Sequence, residues 1–346
     1  MSNQDTNKFT SYQGYIRSKQ YCKMNDFTKP MDLDDIYQIE IELLNVCNLS
    51  CPLCARANPE VINFLSSHKA IHLDFEVLTA TLLKFPSLKK VHLVGGICEP
   101  TLYKEFIPLI KWLKEHNFVI MISTNASTLN EEKWKQIGDI LQEEDEIRFA
   151  IDGSTQQSYE IYRKGGNLQK IISNFLAFSH SKAFKVLQMI KFKHNKEQYE
   201  EEIKTISELC NNKFNYIYRL TTGSAKPEIG LEYPDQKKSK IDIYKKIFQQ
   251  ASKKIKQTLA KDIYCYSKVG FIYINHLGQF ITCCDRYEEF LLDTKPKPTI
   301  YNFNEDELMD YLNNIYEDIP NTETCIKYCH KMVQLLQEPD DKIYRN

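Results

Sequence analysis

The chain has 346 residues, 42% of them hydrophobic and 26% charged, which excludes global disorder and allows one large domain with a smaller one beside it. Lys and Arg total 45 against 46 Asp and Glu, a formal net charge of −1, so no global field steers the protein onto nucleic acid or an anionic membrane. No window approaches the roughly 18 apolar residues of a membrane span, and the polar start MSNQDTNKFTSYQGY carries no secretory signal, which points to the cytoplasm.

Taken in order, residues 1–35 read as an N-terminal extension. From there on, apolar runs suited to buried parallel strands alternate with longer amphipathic stretches. The strand candidates are 38–46, 90–95, 118–124, 146–152, 185–192 and 215–221. Helices are expected between them, among others over 102–116 and over 131–141, the latter with Asn130 as its N-cap. Right-handed crossovers would wind these units into an open barrel, and the loops leaving the C-terminal strand ends would share one rim. The Gly- and Pro-bearing segment 222–240 breaks the periodicity, and a helix is expected over 241–259. Short strands at 270–275 and 279–283 around a His276-Leu277-Gly278 turn follow, then a helix near 304–316. A boundary near 235 divides a core domain of residues 36–235 from a linker helix and smaller domain over 236–346.

The chemistry gathers at strand ends. Eleven cysteines in a reducing compartment are no disulfide framework, and their grouping at 47–54, 265–284 and 325–329 points to metal or catalysis. Directly after the first strand the chain reads C-N-L-S-C-P-L-C, placing Cys47, Cys51 and Cys54 on one tight loop. Three thiolates can hold three irons of a cubane and leave the fourth without a protein ligand. Zinc would want a fourth N or S ligand, and the nearest histidines, His68 and His72, lie well beyond the loop.

This C-x3-C-x2-C loop resembles that of the radical S-adenosylmethionine superfamily, and the likeness extends over about residues 36–221. The resemblance implies an α/β fold, a partial (β/α)6 TIM-like barrel. It also implies a 4Fe-4S cluster whose open iron chelates the methionine moiety of S-adenosylmethionine, and an electron donor such as flavodoxin or ferredoxin. Reductive cleavage of that cofactor would give a 5′-deoxyadenosyl radical that abstracts hydrogen from substrate. Leu53 stands where many members carry an aromatic residue.

The same resemblance points to cofactor contacts. Gly95, Gly96 and Glu99 in V-G-G-I-C-E-P-T-L look like the glycine-glycine-glutamate element that meets the methionine amino group, with Ile97 and Cys98 intervening. Ser123 and Asn125 in I-S-T-N-A-S and Asp152 in F-A-I-D-G-S match positions that touch ribose and carboxylate. Arg163 sits where relatives place an arginine able to grip a carboxylate. Each is by itself as compatible with an ordinary turn, cap or surface residue. Gln188 and Asn195 are weaker candidates.

A second cysteine group, Cys265, Cys283, Cys325 and Cys329, could close a 4Fe-4S cluster completely, with Cys284 as an alternative to Cys283, whereas zinc ribbons more usually carry two C-x2-C pairs. The spacing resembles the SPASM and twitch auxiliary-cluster regions of the same superfamily, implying a small C-terminal α+β auxiliary-cluster domain. The substrate would be a small polar, carbohydrate-like metabolite, possibly dehydrogenated in the manner of aminocyclitol-forming relatives, or a peptide side chain as in relatives that modify ribosomally made peptides. The competing class is a noncatalytic zinc-binding interaction module using Tyr-rich stretches such as 11–21 as contacts. It requires four complete ligands per site, and the first site offers three.

Overall fold

The computed structural model describes residues 30–67, 69–220, 270–282 and 295–318. An eight-stranded sheet organises them: β1 (Gln38–Ile41), β2 (Lys90–Leu93), β3 (Val119–Thr124), β4 (Glu146–Ala150), β5 (Phe184–Ile190), β6 (Tyr216–Leu220), β7 (Phe271–Ile274) and β8 (Phe280–Ile281). Their order is β6-β5-β4-β3-β2-β1-β7-β8, parallel throughout except for the β7–β8 hairpin. Each of β2 to β6 lies beside its predecessor, the winding of a partial (β/α)6 TIM-like barrel. Helices α1 (Pro59–Ser66), α2 (Phe75–Leu82), α3 (Phe106–Glu115), α4 (Glu131–Ile140), α5 (Gln156–Tyr162), α6 (Leu168–Phe178), α7 (Tyr199–Leu209) and α8 (Glu305–Asp318) accompany them.

The two faces of the sheet differ because side chains alternate along a strand. Ile39, Ile41, Val91, Leu93, Ile120, Ile122, Ile147, Phe149, Leu187 and Met189 are fully buried, in one core with Leu78, Leu109, Trp134, Phe175 and Ile206 of the helices. The alternate positions form the inner face, where polar side chains stand among Met121, Val186 and Ile190: Glu40 is paired in register with His92, Ser123 with Arg148, and Gln188 with Tyr218. A purely apolar strand would have closed this face; here Arg148 Nε donates to Glu146 Oε1 at 2.6 Å and charge is kept inside the barrel.

The expected elements recur with shorter bounds. Asn130 caps α4, its Oδ1 accepting from Lys133 N at 3.0 Å. The helix expected from 102 starts at Phe106, because Glu99 caps a separate 3-10 turn, Pro100–Leu102, ahead of it. The strand expected over 38–46 is regular only to Ile41; beyond it Glu42 turns its carboxylate onto Ile97 N and the chain bends toward the cysteine loop. The strand pair expected in the C-terminal region extends the core sheet, β7 pairing in parallel with the outer edge of β1 (Gln38↔Phe271 to Ile41↔Ile274) and so satisfying backbone groups that edge would leave unpaired. The segment 222–240, the helix expected over 241–259 and Cys22 lie outside the described residues.

Candidate cluster and cofactor site

β1 delivers the chain to a loop braced against the segments that follow β2, β3 and α5. Glu99 N donates to Val46 O (3.0 Å), Ser50 N to Lys164 O (3.1 Å) and Asn48 Nδ2 to Ser127 Oγ (2.7 Å). Arg56, just past the last cysteine, donates through Nη1 to Asn45 O (2.6 Å) and Ile97 O (2.9 Å), tying the loop to the segment that follows β2. A tight turn, Cys54 N to Cys51 O at 3.1 Å, brings the second and third cysteines round, and Asn58 with Pro59 starts α1.

Cys47 and Cys54 are half-buried and Cys51 is buried. Donors stand around the sulfurs: Leu49 N is 3.5 Å and Asn125 Nδ2 3.8 Å from Cys47 Sγ, and Arg163 Nη1 is 3.8 Å from Cys51 Sγ. Burial, together with the charge of Glu99 and the two companion thiols, pushes Cys47 up to about 11. Burial raises Cys51 and Cys54 as well, against the pull of Arg163 on both. Three thiolates crowded here need cationic metal to hold them ionised, which is the donor chemistry a cluster wants. Among the described residues no three His, Cys, Asp or Glu converge as ligands of one ion would.

Gly95 and Gly96 pack against the protein's own chain: a Cβ on Gly95 would lie 2.3 Å from Cys98 O, and one on Gly96 would lie 3.2 Å from Glu42 Oε1. The two residues intervening before Glu99 are absorbed there. Ile97 is buried, with its N–H on Glu42 and its carbonyl on Arg56, and Cys98 is buried with its thiol toward Val94 O, 3.6 Å away.

Glu99 consequently reaches the rim. Its Oε1 accepts from Thr101 N (3.2 Å), Thr101 Oγ1 (2.6 Å) and Thr124 Oγ1 (2.6 Å), and its Oε2 from Asn125 N (2.7 Å). It is 2% exposed, and among the described residues no Lys, Arg or His is within ion-pair distance of it. Burial raises its pKa while these four neutral donors oppose the rise. A buried carboxylate lacking a cation is a position suited to a ligand ammonium.

Asn125 bridges the site, with Nδ2 on Asn48 Oδ1 (3.1 Å) and Oδ1 accepting from Ser127 N (3.0 Å) and Oγ (2.7 Å). Asp152, buried at the end of β4, accepts from Ile190 N at 2.7 Å and from Arg163 Nε at 2.5 Å. Burial works against the Arg163 charge, yet Asp152 and Cys51 hold the guanidinium protonated, well above its ordinary value. Arg163 thus leans on the cluster loop and on the Tyr162 ring, 5.0 Å away. Ser123 is half-buried on the inner face, its hydroxyl 2.9 Å from His92 Nε2. Gln188 lies on that face too, whereas Asn195 closes a turn, accepting from Phe192 N at 2.8 Å and donating to Ile190 O at 3.1 Å.

The first-cluster cysteines and all seven candidate cofactor contacts therefore belong to one rim or to the inner face just below it. Cys265, Cys283, Cys284, Cys325 and Cys329 lie outside the described residues. Sequence reasoning missed Glu42, Asn48 and Arg56, which brace the loop. The arginine in C-P-L-C-A-R, directly past the motif, was the available signal, since a cation there meets the carbonyls of the turning chain.

A family model described as the Radical SAM superfamily matches residues 41–220. A tungsten-containing aldehyde ferredoxin oxidoreductase cofactor-modifying protein of Pyrococcus furiosus is 29% identical over 115 residues, 32% of this chain and 30% of that protein. A probable GTP 3′,8-cyclase of Pyrococcus horikoshii is 27% identical over 140 residues, 40% of this chain and 41% of that protein. The chain thus spans less than half the length of either curated relative. Among solved structures, Streptococcus suis SuiB bound to precursor peptide SuiA superposes with a TM-score of 0.60 at 14% identity, covering 100% of this chain and 82% of that one. The structure of anSMEcpe with bound AdoMet gives 0.54 at 15% identity, over 85% of this chain and 88% of that one. Both share the fold described above.

Proposed function

The chain belongs to the Radical SAM superfamily of enzymes, which use a 4Fe-4S cluster and S-adenosylmethionine, and we propose that it loads that cluster on Cys47, Cys51 and Cys54 and holds the cofactor on the rim beside it. When bound, cluster and cofactor together supply a 5′-deoxyadenosyl radical that removes a hydrogen atom from substrate. The protein's own part is to bind, orient and shield. Arg163 and Asn125 steady two of the sulfurs, and Arg56 and Glu42 lock the loop against the strand ends. Glu99 takes the methionine ammonium, Gly95 and Gly96 shape the turn that carries Glu99 inward, and Asp152 orients Arg163. The carrying observation is Glu99, buried with four neutral donors and, among the described residues, no cation within ion-pair distance, at the same rim as three thiols.

The substrate proposed is a small polar, carbohydrate-like molecule or a peptide side chain. The charged and hydroxylated inner face supports a polar reacting group. The peptide arm is supported by SuiB and anSMEcpe, solved with the peptides SuiA and Cp18Cys. A second cluster on Cys265, Cys283, Cys325 and Cys329, within a domain of residues 236–346, and reduction by a flavodoxin or ferredoxin complete the proposal. No helix among the described residues is long and apolar enough to cross a membrane. The test is formation of 5′-deoxyadenosine and methionine by anaerobically reconstituted protein under a chemical reductant. A cluster-loaded protein that forms neither refutes the reading.

A further inference from the structure

α5 carries a phenol that none of the cofactor assignments uses. Tyr159 is fully buried, and its hydroxyl has no hydrogen-bond partner among the described residues. Two glycines make room for it. A Cβ on Gly153 would run into the Tyr159 backbone, and one on Gly166 would lie 2.6 Å from Cε1 of the ring and 2.7 Å from the hydroxyl oxygen. The ring is therefore pinned in the core with an orphan donor, where phenylalanine would fill the same space without one.

The surroundings of the hydroxyl are those of the cysteine loop. Arg163 follows Tyr159 by one helical turn, its N–H on Tyr159 O at 3.0 Å, which makes the two side chains neighbours, and Arg163 Nη1 reaches Cys51 Sγ at 3.8 Å. Gly166, against which the hydroxyl packs, donates its N–H to Arg163 O at 3.0 Å. The same 163–166 turn receives Ser50 N on Lys164 O at 3.1 Å, one residue ahead of Cys51. Burial raises the pKa of the phenol; Arg163 works against the rise, while Asp152, Cys51 and Glu99 add to it. Tyr159 thus stays protonated at neutral pH, a donor that lacks an acceptor. A cubane would bring one, since its bridging sulfides accept hydrogen bonds beside the three thiolates.

We infer that the Tyr159 hydroxyl donates a hydrogen bond to a sulfur on the Cys51 side of the loaded cluster and thereby raises the reduction potential of that cluster. The inference rests on the proposal above that Cys47, Cys51 and Cys54 hold the cluster. The sign follows from charge. Reduction makes the sulfurs more negative, so a donor hydrogen favours the reduced state more than the oxidised one.

Tyr159→Phe removes one oxygen atom and keeps the ring, and both proteins are compared with the cluster loaded and iron content measured. The cluster signal is identified by its response to S-adenosylmethionine and is then titrated with reductant in the absence of that cofactor. The potential should fall by about 30–60 mV in Tyr159→Phe, a three- to ten-fold shift in a one-electron equilibrium. Electron-nuclear double resonance of the reduced wild type should show an exchangeable-proton coupling that disappears both in deuterated buffer and in the variant. Calorimetric affinity for S-adenosylmethionine should stay unchanged. An unchanged potential overturns the inference, and if cofactor affinity falls at the same time the hydroxyl belongs to the cofactor instead. A potential that falls with the proton coupling intact also overturns it, because the effect then comes from repacking. A wild type that holds no iron on the three cysteines sinks the cluster reading itself, whereas loaded proteins of equal potential sink the role of Tyr159 alone.

Discussion

Replacing Glu99 by Gln separates two jobs of one carboxylate. Oε1 receives three donors and Oε2 receives one, from Asn125 N at 2.7 Å. An amide keeps a single oxygen, which belongs with the three donors, so its NH2 turns against the Asn125 N–H. One hydrogen bond is lost and two buried donors face each other, a destabilisation of about 1–3 kcal/mol. The second job is the proposed binding of the cofactor's ammonium. Removing one partner of a buried, hydrogen-bonded charge pair costs roughly 2–5 kcal/mol, or about thirty-fold and upward in Kd. Denaturant unfolding reads the first loss, and calorimetry of S-adenosylmethionine on cluster-loaded protein reads the second. The pH dependence has a defined sign. Burial raises the Glu99 pKa from its ordinary 4.5, so the folded chain holds this proton longer than the unfolded one. Stability from this group is present below 4.5 and is lost as pH rises through the elevated folded value, so the deficit of Glu99→Gln shrinks with rising pH. Binding an ammonium beside Glu99 favours its ionised form, so a proton is released when binding occurs in that window. Unchanged cofactor affinity in Glu99→Gln with a full cluster would refute the reasoning.

Cys51→Ala leaves two thiols on the loop and should abolish both iron retention at this site and cofactor cleavage; iron analysis and 5′-deoxyadenosine formation read the two effects, and cleavage by a loaded variant contradicts the ligand assignment. Arg56→Met strips a charged donor from Asn45 O and Ile97 O, which should destabilise the fold by about 2–4 kcal/mol and lower cluster occupancy, with Arg56→Lys recovering part of each. An unchanged denaturant midpoint would show that the bridge braces nothing. Cys329→Ala should leave cofactor cleavage in place and impair turnover of the true substrate; loss of the folded chain in circular dichroism would make the second cysteine group structural.

The first cysteine loop and the alternation of strands with helices were legible because they are local: a thiol spacing of three and two residues, and apolar runs bounded by turns. The polarity of the inner face was also written in the alternation Q-I-E-I-E and K-V-H-L-V, but reading those runs as uniformly buried strands hides it, since only the barrel's curvature decides which alternate residues escape the helices. The pairing of β7 with β1 depends on residues more than 200 positions apart and has no local signal. Glu99 was harder to place because two residues follow the glycines first. The structure folds that excess into a knot held by Glu42 and Arg56, a tertiary solution that spacing alone does not reveal.

The most direct test of the whole account is electron paramagnetic resonance of the anaerobically reconstituted, reduced protein, with and without S-adenosylmethionine, alongside iron and sulfide content. The account predicts about eight irons per chain and one cluster signal that shifts on adding the cofactor, a shift that disappears in Cys51→Ala. Zinc in place of iron after anaerobic reconstitution, or cluster signals indifferent to S-adenosylmethionine, would contradict it.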